Sequence, residues 1–434
     1  MSYKFKKYLI DQVMSMVFDR LFKEMFASLY HKNFRYFWFG QAVSVIGGMI
    51  QVTALSWYVY KISGSPFLLG LMGVFEYGPV LALTLFAGVF IEKFSKKKIL
   101  IFTQSLFLVQ SLLLAVLVWT KSENYWYFAA LAVVAGIGNS IDMPTRQSYF
   151  IDLVGKEDLS NAISLNSTTF NLARIIGPAI SGIIMKYLGI AECFFINGLS
   201  FIPVIYGITL ITISGKSKIK HKRKSNVFND IRAGIRYTLR NRILLSSFLM
   251  MLIVCLFSMN TNVTLPVFAK DALLGDEGTY SFLLSMVGVG SLFGALFMAV
   301  KGKNIGYKYF LVIVSLALGA AQMLTIFAGT VGVTSVILII IGFLNLCFLN
   351  GANSKIQMNT DNRHRSRVMS IYTLVNTGST PIGNSLTGLF MSLLGARFGF
   401  FMDGFLTMLF ILIIFNIYYR HKRLEKKQYA AVKK

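Results

Sequence analysis

Twelve apolar stretches, each about long enough to cross a bilayer, are joined by loops whose basic residues alternate between crowded and sparse. A hydrocarbon core of ~30 Å needs roughly 20 apolar residues in a helix rising 1.5 Å per residue. The pattern places spans near 36–60, 66–90, 99–119, 125–143, 161–187 and 191–213. A second set follows near 243–268, 280–300, 308–328, 332–354, 367–394 and 397–419. Such a chain is an all-α polytopic membrane protein whose first partner is the lipid bilayer.

The net charge of +25 raises nucleic-acid binding, and its distribution argues against it. Lys93, Lys96, Lys97 and Lys98, then Arg146 and Lys156, then the run from Lys216 to Arg242 fall on alternate loops, followed by Lys301, Lys303 and Lys308, by Arg363, Arg365 and Arg367, and by the tail from Arg420. The intervening loops hold only Lys61, Lys121, Lys186, Lys270 and Arg397. That alternation is the positive-inside rule, with both termini cytoplasmic. A nucleic-acid surface would need the charge clustered on a solvated domain, and the chain has none.

Metal and cofactor chemistry find no groups either. Cys193, Cys255 and Cys347 sit in apolar spans without paired spacing, as small buried hydrophobes do. His31, His221, His364 and His421 all fall in loops or tails. Residues 215–217 read Gly-Lys-Ser, but Leu210 stands where a phosphate-binding loop needs its first glycine. No cofactor, no metal and no enzymatic activity are expected.

Five segments follow. Residues 1–35 read as an amphipathic cytoplasmic segment, with Leu9, Val13, Met14, Val17, Leu21, Met25 and Leu29 at helical spacing. Translation from Met25 is an alternative start, because the strong pattern begins just after it. Residues 36–213 form a first six-helix bundle, and 214–242 a basic linker with a short surface helix. Residues 243–419 form a second bundle and 420–434 a basic tail. The stretch Phe67-Leu-Leu-Gly70-Leu-Met-Gly73-Val74 matches Phe282-Leu-Leu-Ser285-Met-Val-Gly288-Val289, each in the second span of its half. Parallel six-span repeats with a site at their interface are transporter architecture.

Between spans two and three the chain reads Gly88-Val-Phe-Ile-Glu92-Lys93-Phe-Ser95-Lys96-Lys97-Lys98. This resembles the signature loop of the major facilitator superfamily, with Glu92 where aspartate is usual and Ser95 where glycine is usual. Asn139-Ser-Ile-Asp142-Met-Pro144-Thr-Arg146-Gln147, Gly177-Pro178-Ala-Ile-Ser-Gly182, Arg365-Ser-Arg367-Val-Met-Ser370 and Pro381-Ile-Gly383 continue the likeness. Together they are similar to the branch containing macrolide-efflux and enterobactin-exporter proteins, over nearly all the chain after residue 33. The resemblance implies two pseudo-symmetric six-helix bundles that rock about a central site. It also implies an inter-bundle latch at the cytoplasmic ends, drawn from Gly88, Glu92, Lys93, Lys97, Asp142, Arg146, Arg174 and Arg367. Within it Lys93 would pair with Asp142, and Glu92 would face the start of span eleven near Arg367. Gly177, Pro178 and Gly182 would supply the helix bend associated with exporters in that superfamily.

Charges inside spans are costly and mark pathways or pairs. Glu76 reads as the only acid well within a span and is the candidate for proton coupling, with a packing role as the alternative. Arg174 is expected at the cytoplasmic end of span five, and Asp403 at the outer end of span twelve in an interfacial role. Gln51, Trp57, Asn139, Asn260, Asn262, Asn345 and Asn350 are candidates for a mostly apolar substrate cavity. Helix-to-helix amide bonds are the competing use of each. The expectation is a monomeric exporter of an amphipathic small molecule, exchanging protons, with macrolide-like antibiotics first and siderophores second as cargo. A non-transporting receptor or scaffold of the same fold, or a membrane-embedded lipid-modifying transferase, is the reading from another class.

Overall fold

The computed structural model describes residues 26–213, 215, 227–302, 307–361 and 364–432. The first half contributes α1 Lys32–Ser63, α2 Pro66–Lys93, α3 Lys96–Trp119, α4 Tyr125–Val154, α5 Leu159–Tyr187 and α6 Ile190–Leu210. A surface helix, α7 Val227–Arg240, leads into α8 Arg242–Phe257 and α9 Thr261–Val267, which make one broken span. Then come α10 Glu277–Lys301, α11 Tyr307–Leu324, α12 Val331–Met358 and α13 Arg365–Val432. Gly395 interrupts α13 with a φ of 80° and ψ of 168°, so α13 contributes two spans. Twelve spans in two six-helix bundles result, as the sequence pattern predicts. Of the amphipathic segment at the N-terminus, residues 1–25 lie outside the described residues.

Polar residues set several helix starts. Asn241 accepts the backbone N–H of Ile243 at 3.0 Å and of Leu244 at 3.2 Å, and Asn124 accepts that of Trp126 at 3.0 Å. Asp276 caps α10 through the N–H and hydroxyl of Thr279, at 2.8 and 2.9 Å, and those bonds hold its carboxyl below the usual carboxylate range. Gly64, at φ 58°, ends α1 in the left-handed region that favours glycine. Helices also outrun the apolar pattern. α4 continues eleven residues past 143 to Val154, where Thr145, Tyr149 and Leu153 still face a packed interior.

The internal match marks the two places where the halves meet. A Cβ on Gly73 of α2 would lie 2.5 Å from Asn384 of α13, and one on Gly288 of α10 would lie 2.8 Å from the Arg174 carbonyl of α5. About two turns further out along α2, α5 and α10, a Cβ on Gly182 of α5 would meet Ser281 at 2.7 Å, and one on Gly388 of α13 would run into Pro66. Gly73 and Gly288 are equivalent in the repeat, and so are Pro66 and Ser281. The second helix of each half therefore packs on the fifth helix of the other, about a pseudo-two-fold axis. Only a missing side chain permits these approaches.

The surface helix rides on the second half. Tyr237 stacks on His364 with ring centroids 4.3 Å apart and bonds Asp361 at 3.1 Å. Gly234 sits against Ile371 and Arg367. Asn241 reaches the Asn359 carbonyl at 3.4 Å. This helix lies at the end of the molecule where α1 begins, α2 ends and α8 begins, which we term the basic face.

Candidate functional site: a cleft between the bundles

On α5 the exposed residues form one stripe near the far face and two near the basic face. Leu172, Ile176, Ala179 and Ile183 make the continuous outer stripe that lipid would cover. Ser160, Ile163, Ser167 and Arg174 make a second exposed stripe. Leu172 and Arg174 are two residues apart, or ~200° of helix rotation. The second stripe therefore looks inward, toward the other half. α2 behaves alike, since Ala82, Leu83 and Thr84 are exposed in succession, while Leu69, Met72 and Gly73 nearer the far face are buried. A Cβ on Gly78 would meet nothing within 4 Å. The bundles are thus separated by a cleft that opens on the basic face.

The far face is closed by contacts between the halves. Tyr60 of α1 donates a short hydrogen bond to Asp271, and Lys270 stands over the Tyr60 ring at 4.9 Å. Trp57 stacks on Tyr280 of α10 at 5.7 Å and 12° between planes. Trp57, expected in a substrate cavity, is thus part of this seal.

Glu76 and Arg174 sit at mid-depth in the first half. Arg174 stands fifteen residues into α5, or ~22 Å along it, rather than at the helix end expected from the sequence. Tyr77 lies within electrostatic reach of both. Tyr77 has no distinctive sequence signal, because a tyrosine beside an intramembrane acid is common in an aromatic-rich chain.

The residues read as a latch fall into separate local roles in this conformation. Asp142 is fully buried and pairs with Arg146 one turn on. It also accepts from Thr103 at 2.6 Å and Gln104 at 2.8 Å, both on α3. Lys97 caps α6, donating to the carbonyls of Thr209 at 2.8 Å and Ile211 at 2.6 Å. Arg367 lies beside Gly234 of the surface helix. The side chains of Glu92 and Lys93, and the surroundings of Gly88, lie outside the described residues. Gly177 packs on Met49 of α1, so Gly177-Pro178 faces inside the first half, while Gly182 faces α10.

The polar amides divide in the same way. Gln51 accepts from Ser111 at 2.7 Å and Asn197 at 2.8 Å and donates to Gln110 at 3.3 Å, tying α1 to α3 and α6. Asn260 and Asn345 serve the break between α8 and α9. Asn260 donates to the Leu256 carbonyl at 2.6 Å, Asn345 to the Ser258 carbonyl and Gln322 to the Phe257 carbonyl, each at 3.3 Å. Asn139 and Asn262 are partly exposed and Asn350 is exposed, which leaves these three available to a cavity. Asp403 is not interfacial as its position suggested: it is fully buried within the second half. Its helix starts directly after Gly395, which puts the carboxyl ~12 Å inside. No His, Cys, Asp or Glu cluster fit for a metal occurs among the described residues.

Two pseudo-symmetric bundles about a one-sided cleft define a membrane transporter of the major facilitator class, not an enzyme. The chain belongs to the family described as Transmembrane secretion effector, whose profile matches residues 23–432. It is 25% identical over 401 residues to the Staphyloferrin A transporter of Staphylococcus aureus, covering 91% of this chain and 97% of that protein. It is 23% identical to the multidrug efflux pump Tap of Mycolicibacterium fortuitum, over 79% of this chain and 85% of that one. Macrolide efflux protein A of Streptococcus pyogenes is 18% identical over 85% of this chain and 91% of its own length. Among solved structures, a nucleoside transporter superposes with a TM-score of 0.74 at 10% identity, covering 88% of this chain and 99% of that one. That likeness speaks to fold alone.

Proposed function

We propose that the protein is a secondary active exporter of the bacterial cytoplasmic membrane, moving an amphipathic organic compound outward in exchange for protons. The cleft carries this reading. By the positive-inside rule the basic face is cytoplasmic, so the open side is the side from which an exporter takes its cargo. Residues 36–213 and 243–419 would rock about the α2–α13 and α5–α10 crossings. The basic-face residues, Glu92, Lys93, Asp142 and Arg367 among them, would close over the cleft in the opposite state. Glu76 is the coupling acid: a carboxyl at mid-depth beside Tyr77 exchanges its proton when access alternates. Asn139, Asn262 and Asn350 would supply the few directing hydrogen bonds of a mostly apolar pocket, and the transporter would work as a monomer.

Two relatives are named for drug or macrolide efflux, so such compounds are the first cargo class. The match to nearly the full Staphyloferrin A transporter supports siderophore export as the second reading. Expression in an efflux-deficient host, screened against antibiotic and chelator panels with and without an uncoupler, tests both. Resistance to one class that an uncoupler abolishes is the expected result. Glu76→Gln should then remove the uncoupler-sensitive part. Resistance that persists in Glu76→Gln would exclude Glu76 from coupling, and protection without uncoupler sensitivity would exclude proton exchange.

A further inference from the structure

Buried in the second half is a polar chain that the transport reading leaves unused. Asp403 accepts from the Thr387 hydroxyl at 2.8 Å through Oδ2, and Asn260 donates to that same hydroxyl at 2.9 Å. The Thr407 hydroxyl lies 2.8 Å from the Asp403 carbonyl and 2.9 Å from the Ser258 hydroxyl, which in turn donates to Gln322 at 2.7 Å. One connected network therefore joins the carboxyl of the last span to residues 258–260, where α8 stops and α9 begins.

Among the described residues the carboxyl has no counter-charge. Thr387 is its one side-chain partner among the described residues, and its Oδ1 has none. Asn260 Oδ1, on a residue just 3% exposed, is likewise unpartnered, and so is Asn345 Oδ1. Ionisable groups on the packed elements are engaged elsewhere, Asp271 and Lys270 at Tyr60. Arg397 donates to the carbonyls of Ile326, Ala328 and Ala272 at 2.9–3.1 Å. The Cys255 thiol faces Asn376 at 3.6 Å, Tyr372 is engaged with Asn353, and the Tyr309 ring lies edge-on to Phe415 at the basic-face end. A naked carboxylate in such a place is strongly disfavoured, because burial strips its hydration and no cation replaces it. Protonated, it keeps a carbonyl oxygen for Thr387 and becomes neutral at the unpartnered Oδ1.

We infer that Asp403 is a proton-binding site in the second half, loaded in this conformation and linked through Thr387 and Asn260 to the broken seventh span. The proton comes from hydronium and returns to water, forming one O–H bond at Oδ1 and leaving one water. The site is separate from Glu76 and stands whether or not Glu76 couples transport. A metal cation fits the network less well, because Asn260 turns its NH2 group, not its oxygen, toward Thr387.

Infrared difference spectra of the purified full chain in nanodiscs, taken between acid and alkaline pH, test this. The wild type should give a protonated-carboxyl C=O band that Glu76→Gln retains and Asp403→Asn loses. Thr387→Val keeps the acid but removes its hydrogen bond, so the band should move to higher frequency; this variant decides if Asp403→Asn fails to fold. Carboxyl bands identical in a folded Asp403→Asn, or unshifted in Thr387→Val, would overturn the assignment. Spectra that depend on exchanging choline chloride for sodium chloride would place a metal cation there and overturn it equally.

Discussion

At the scale of one residue, Asp142 ties α4 to α3 within the first half. It is fully buried, and its charge is met by Arg146 and by two α3 side chains. Removing one member of a buried pair strands the other, at a cost of about 3–5 kcal/mol. Asp142→Ala should therefore lower the unfolding midpoint in detergent markedly, and Asp142→Ala with Arg146→Ala by less than the sum of the two single changes. Additive losses would show that the pair is not a unit. Glu76 and Arg174 stand out in the sequence as ionisable groups within apolar spans, and Asp142 and Arg146 through the motif that resembles the family. The sequence does not say which neighbours they meet. The resemblance offers Lys93 as the partner of Asp142, not Arg146, Thr103 and Gln104, which meet it in the structure, the last two from another helix. The break at Gly395 falls where hydropathy places it, between 394 and 397, but position along a span does not tell that Asp403 faces the interior of its bundle.

At the scale of elements, the eight-residue repeat proved more informative than its length promised. It names the helix faces on which the halves pivot. Gly73→Val should wedge α2 from α13, and Gly288→Val should wedge α10 from α5. Each should raise impermeant-maleimide labelling of cysteines introduced on the far face severalfold relative to Gly78→Val, where nothing stands in the way. Equal labelling of all three would remove the crossings as pivots. The amides were harder to read. Asn260 and Asn345 attend a helix break that no proline or glycine announces between Phe257 and Thr261. Their periodicity matches cavity-facing and bundle-facing positions alike, so burial alone separates the two uses.

At the scale of the whole molecule, which side is open depends on small differences between opposing seals. The bond from Tyr60 to Asp271 joins α1 to the end of the seventh span, and hydrogen bonds to charged groups contribute about 1.5–3 kcal/mol. Tyr60→Phe should move the equilibrium toward far-side opening by roughly tenfold or more. Spin-label distances across that face would report it, and an unchanged distribution would exclude this bond from the seal. Twelve spans and their sidedness pattern are legible from hydropathy and lysine placement. The open side is not, because both states share every helix and differ only in which ends touch.

The attachment of α7 has a practical corollary. Tyr237, Gly234 and Asn241 fasten it to α13 and the end of α12, so it travels as cargo of the C-terminal bundle rather than as a free tether. A functional pair of co-expressed fragments should come from cleavage ahead of Val227. A cut just after Arg240 would hand the helix to the wrong fragment.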